Sequence, residues 1–184
     1  MATHQKTRTT DAGEEMKTRA LTSLAVILLS GCAFGGPRVL SGFADPRGPE
    51  GYPRRDGTHR GVDIGGVVGT PVISAADGQV TIAAPDHGPC GTMVMVQHQS
   101  RYQTVYCHLS SYSVREGQEV RRGDLIGEIG TTGLRADPGF EHVHWELRHM
   151  GSQEDSLLKT VGCFDPKRSY DATDQIALTY PVKC

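Results

Sequence analysis

Between residue 59 and the last 30 residues no stretch carries the period of an amphipathic helix; short β-prone segments recur instead, with turn signals between them. The segments are 72–74, 79–83, 93–98, 104–109 and 125–129. Asp77-Gly78, Ser100-Arg101, Glu116-Gly117 and Arg122-Gly123-Asp124 interrupt them with residue types that tolerate tight-turn dihedrals. This spacing predicts an all-β fold of mainly antiparallel sheets, a sandwich or barrel, in a single domain. The 23 glycines and ten prolines agree, being too many for a helical bundle and too scattered for a low-complexity tract. Residues 156–161 are expected to form one short helical turn.

The amino-terminal segment has a different logic. Lys17 and Arg19 precede an apolar run over residues 24–29, which ends at small residues. The run is too short for a spanning helix, and the order of charge, apolar core and small residues is that of a secretory signal. Residues 1–31 are therefore expected to be a signal peptide; the polar stretch with Asp11, Glu14 and Glu15 makes Met16 a possible start. Leu29-Ser30-Gly31-Cys32 resembles the lipobox of bacterial lipoproteins. That resemblance implies a lipid on Cys32 and a membrane partner through that anchor. It implies a place in the cell envelope and, with Ala33 next, at an outer membrane facing the periplasm if the source has two membranes. Residues 32–50 read as a tether and irregular lead-in, 51–150 as the main domain and 151–184 as a carboxy-terminal extension. Without residues 1–31 the chain has 15 Lys+Arg against 18 Asp+Glu. A net charge near -3 speaks against a nucleic-acid partner, which needs a basic surface to neutralise phosphates.

Three histidine placements carry chemistry. In His59-Arg60-Gly61-Val62-Asp63 an extended backbone would send His59 and Asp63 to one face and Val62 and Ile64 to the other, so an imidazole and a carboxylate can meet on one cation. In His142-Val143-His144-Trp145-Glu146-Leu147 strict alternation predicts a half-buried strand, with His142 and His144 about 7 Å apart on the face opposite the core. In Tyr106-Cys107-His108-Leu109 alternation places His108 with Tyr106 and turns Cys107 away. Each motif alone has a plainer reading. HxxxD is short and common, paired imidazoles suit a solvated face, and a lone histidine is more often a structural hydrogen bonder.

Together the motifs resemble the M23 metallopeptidases of lysostaphin/LytM-like fold. The matching residues are His59 to Asp63, Gly69-Thr70-Pro71-Val72, Tyr106 to Leu109, residues 117–127 (GQEVRRGDLIG) and His142 to His144. The resemblance implies that His59, Asp63 and His144 bind Zn2+, with the fourth position open as in catalytic zinc sites. It implies that His108 and His142 assist proton transfer, that residues 51–150 form the catalytic domain and that peptidoglycan is the partner. The activity it implies is zinc-dependent hydrolysis of peptide bonds in peptidoglycan, in cross-links or stems. The alternatives are a catalytically silent wall-binding module or amidase activator of the same fold, and a structural lipoprotein whose histidines bind zinc without turnover. Tyr52 is the nearest candidate for the family's upstream tyrosine, without a matching spacing. Residues 134–141 are longer than the family's usual turn into the HxH strand and bear on specificity. His4, His87, His98 and His149 match no ligand position.

Cys90, Cys107, Cys163 and Cys184 remain after Cys32, an even number in a chain with an export signal, so disulfides are expected. The preferred pairing is Cys163 with Cys184, and Cys90 with Cys107. No CxxC occurs, and Cys107 is expected to point away from its histidine neighbour, so none is assigned to zinc.

Overall fold

A computed structural model describes residues 36–47, 57–134, 136, 138–170 and 176–184, within one compact unit spanning Phe34–Cys184. The signal segment, Cys32 and Tyr52 lie outside the described residues.

All the regular elements described are strands and short 3-10 turns. The strands are β1 (Val39–Ser41), β2 (Val62–Gly65), β3 (Pro71–Ile73), β4 (Gly78–Ala84), β5 (Met93–Gln97) and β6 (Tyr102–Cys107). They continue with β7 (Leu109–Tyr112), β8 (Glu119–Val120), β9 (Leu125–Ile129), β10 (His142–His149) and β11 (Ser152–Glu154). One sheet runs β1-β2-β10-β6-β5-β4-β8, with β11 also on β10; a three-stranded sheet runs β3-β9-β7. Every pairing between these strands is antiparallel, so the expected all-β, antiparallel fold is what forms.

Alternation along β10 decides what each face of the large sheet does. Val143, Trp145 and Leu147 are fully buried and meet Val62 and Ile64 of β2, Tyr106 of β6, and Val72, Ile126 and Ile129 of the small sheet. Burying each such side chain contributes roughly 1.5–3 kcal/mol. His142, His144 and Glu146 project from the opposite face. Register then selects their neighbours: His144 stands opposite Asp63 on β2 and Cys107 on β6.

Two sequence expectations change, and two segments gain definition. Residues 104–109 are not one strand: the backbone turns left-handed at His108 (φ 64°), ending β6 and sending β7 into the other sheet. Tyr106 consequently faces the core, whereas Cys107 faces the histidines. His59 lies before β2 rather than within an extended run, because the strand begins at Val62. The lead-in contributes β1, an edge strand paired with β2. The carboxy-terminal segment is built into the core through Ile176, Leu178 and Val182, with Val182 bridging Val72. Its short turn is a 3-10 helix, Ser156–Lys159, capped by the Asp155 side chain accepting from the Leu157 amide.

Candidate metal centre

Three donor atoms converge where β2 and β10 pair. Asp63 Oδ1 is 3.0 Å from His59 Nε2 and 2.8 Å from His144 Nδ1, and the two ring nitrogens are 2.9 Å apart. His59 and Asp63 are buried, and His144 is half-buried. Among the described residues this is the group able to hold a metal ion. Two imidazoles and a carboxylate suit zinc, which takes nitrogen and oxygen ligands at about 2.0–2.2 Å in a tetrahedral arrangement.

Whether these residues fit a metal is tested by their outer hydrogen bonds. A ligating histidine uses one nitrogen on the metal and donates the other N–H to an acceptor, which fixes tautomer and ring direction. His59 Nδ1 lies 2.8 Å from the Gly42 carbonyl, with Ser41 Oγ at 3.1 Å, leaving Nε2 as the inward lone pair. His144 is arranged the other way round: Nε2 is 3.2 Å from Glu146 Oε1, leaving Nδ1 inward. Glu146 is in turn held by Arg148 through Nε at 2.7 Å and Nη2 at 2.6 Å. The donor set therefore fits. Neither Ser41–Gly42 nor Arg148 was picked out from sequence. Glu146 was legible in principle, since alternation places it on the face of His144.

The local electrostatics favour positive charge at this point. Burial pushes the Asp63 carboxyl up, but hydrogen bonds from His144 and His59 outweigh it and hold the group far below the usual carboxylate range. For His144 burial opposes the charged form, yet the bonds to Asp63 and Glu146 raise it to about 9. Two carboxylates flanking one imidazole thus draw in a proton or a metal cation.

His108 and His142 border the same cleft, with ring centroids 4.9 Å apart. His142 Nδ1 is 2.6 Å from the Phe140 carbonyl and its Nε2 is 3.5 Å from Asp63 Oδ1. His108 Nδ1 is 2.8 Å from the Thr132 carbonyl, which leaves Nε2 free. Burial, then the neighbouring His142, lowers His108 to about 4, so at neutral pH it is an uncharged acceptor. The cleft has a volume of about 470 Å³ and is also lined by Arg60, His87, Leu134 and both members of the Cys90–Cys107 disulfide. The second disulfide joins Cys163 to Cys184, away from the cleft. Among the other histidines His87 only lines the cleft, His98 is buried beneath Asp77 and Thr104, and His149 stacks on Tyr102.

An antiparallel β scaffold presenting a His–Asp–His set in an open cleft, with two more histidines beside it, defines a class of metallopeptidase folds. This chain belongs to peptidase family M23, whose profile matches residues 57–156. It is 40% identical over 124 residues to the peptidoglycan DD-endopeptidase ShyA of Vibrio cholerae, covering 67% of this chain and 28% of that protein. It is 31% identical over 108 residues to the murein hydrolase activator NlpD of Salmonella typhimurium, covering 59% of this chain and 28% of that one. The chain thus spans less than a third of the length of these curated relatives. Among solved structures it resembles a zinc-containing peptidase from Vibrio cholerae (TM-score 0.57, 31% identity, 66% of this chain and 36% of that one). It also resembles the catalytic domain of lysostaphin from Staphylococcus simulans (TM-score 0.56, 25% identity, 66% and 90%).

Proposed function

We propose that the chain is a zinc-dependent endopeptidase that hydrolyses peptide bonds in peptidoglycan, in cross-links or stems. In this proposal it is held in the cell envelope by lipid on Cys32. The observation that carries the catalytic reading is the complete constellation: three convergent donors and two further imidazoles, each ring set by a hydrogen bond on its outer nitrogen. His59, Asp63 and His144 are the ligands. Zinc, when bound, lowers the pKa of water toward 7 and polarises a carbonyl.

The remaining work falls to the protein. His108 Nε2 takes the proton of the attacking water, its Nδ1–H staying on the Thr132 carbonyl so that the ring cannot turn away. His142, its Nδ1–H on the Phe140 carbonyl, acts as the imidazolium, whose Nε2–H donates to the oxygen that becomes negative in the tetrahedral intermediate. Assistance of this kind is worth about 10² to 10⁴ in rate.

The similarity to NlpD raises a second reading, a silent module that activates a murein hydrolase. A complete donor set favours the enzyme. Purified murein separates the two: the protein is expected to release soluble fragments, to stop with a chelator and to recover on adding zinc. Metal-loaded, folded protein that releases nothing would support the activator. For the anchor, Cys32→Ser is expected to move the protein from membranes to the soluble fraction and to abolish labelling by fatty acid.

A further inference from the structure

The Cys90–Cys107 disulfide lies in the wall of the cleft, and both of its ends lead to His108. Cys107 precedes His108 in the chain and shares the face of His144. Cys90 accepts from the His108 amide through its carbonyl, at 2.8 Å. His108 itself is left-handed, with φ 64°. A non-glycine residue there is held only if its surroundings over-determine it.

The same loop also fixes the side chain of His108. Residues 88–92 form a shelf on which residues 132–134 rest: the Leu134 amide donates to the Pro89 carbonyl at 2.9 Å, and the Thr92 amide to Thr132 Oγ1 at 2.9 Å. Gly91 and Gly133 meet backbone to backbone, and a Cβ on Gly91 would lie 2.4 Å from the Gly133 nitrogen. Thr132, seated there, supplies the carbonyl that takes the Nδ1–H of His108.

We propose that the Cys90–Cys107 disulfide is a positioning device for His108, holding its backbone turn and the Thr132 carbonyl in the arrangement that points Nε2 into the cleft. The bond ties the shelf to the end of β6, so both restraints on His108 rest on one covalent link. The outer hydrogen bonds of His59 and His144 go to Gly42 and Glu146 rather than to this shelf, so opening the link is expected to leave both imidazole ligands in place. The proposal rests on the assignment of His108 as the proton acceptor.

The test is a double-mutant cycle on zinc-loaded protein, using the paired variant Cys90→Ala/Cys107→Ala, His108→Ala and their combination. The paired variant is expected to keep one zinc per chain by atomic emission. Its kcat on murein peptides should fall at least tenfold, with KM changed less than threefold. Amide exchange should quicken at residues 88–92, 107–109 and 132–134 and stay unchanged elsewhere in β5 and β6. In the His108→Ala background, removing the cysteines should cost no further activity. An additional loss of the same size there would mean that the disulfide acts other than through His108, and unchanged kcat and exchange in the paired variant would likewise overturn the proposal. Full activity in His108→Ala alone would sink the assignment of that histidine instead. Should the paired variant fail to fold, reduction of folded Cys163→Ser/Cys184→Ser protein by a dithiol replaces it, with zinc content followed alongside so that metal loss is told apart from loss of the link. The dithiol is oxidised to a cyclic disulfide as Cys90 and Cys107 become thiols; the loss of kcat is expected to reverse on reoxidation, and activity unaffected by reduction would defeat the idea.

Discussion

His142 and His144 leave β10 on the same face, two residues apart, yet turn different nitrogens inward. Glu146 takes the Nε2–H of His144, and Phe140 takes the Nδ1–H of His142. The roles proposed for the two rings differ accordingly, and metal content tests them. His59→Ala, Asp63→Ala and His144→Ala are expected to bind little zinc; His108→Ala and His142→Ala should keep about one ion while hydrolysing murein at least about 10² more slowly. Zinc retained in His144→Ala but lost from His142→Ala would reverse the assignment. One step further out, Glu146→Gln should keep the fold but weaken zinc about 10- to 100-fold, read by competition against a chromophoric chelator. An unchanged affinity would show that Glu146 does nothing for its histidine.

At the scale of elements, alternation was a sound guide where a strand is straight and a poor one where it ends. It correctly placed Val143, Trp145 and Leu147 against the core and the two histidines opposite. It misplaced Tyr106 and Cys107, because the left-handed turn falls on a histidine, whose preference for positive φ is weak beside that of glycine. His59 was legible as a motif but not as a geometry, since its direction depends on Gly42, 17 positions earlier in the chain. The β4–β6 region carries a further consequence. His98 is buried, with Nδ1 2.7 Å from the Asp77 carbonyl and Nε2 2.7 Å from Thr104 Oγ1. Burial lowers it from 6.5 to about 4. A depressed histidine is protonated more readily in the unfolded chain, so its contribution is intact above pH 6.5 and is lost as pH falls toward 4. The full loss is about 3 kcal/mol at 1.36 kcal/mol per pH unit. Urea midpoints measured with chelator present should therefore fall more steeply from pH 6.5 to 4.5 for the wild type than for His98→Asn; parallel curves would refute the assignment.

For the whole molecule, the segment shared with the family is smaller than the unit that folds. The profile ends at residue 156, but Ile176, Leu178 and Val182 lie in the same core as Trp145. A chain stopped at residue 156 is expected to lose cooperative unfolding, and Leu178→Ala in the full chain to cost about 2–5 kcal/mol. A truncated chain melting sharply near the wild-type temperature would show that the segment is dispensable. Cys163→Ser/Cys184→Ser opens a link between residues 21 apart and should cost about 3 kcal/mol, seen as a lower urea midpoint with zinc content unchanged. The placement of Trp145 also gives the protein a built-in optical probe. It is the chain's single tryptophan, wholly enclosed, and its neighbours in sequence are His144 and Glu146. Emission from unlabelled protein thus originates on the strand that carries His144, and a red shift on titrating denaturant would report the moment that strand meets water.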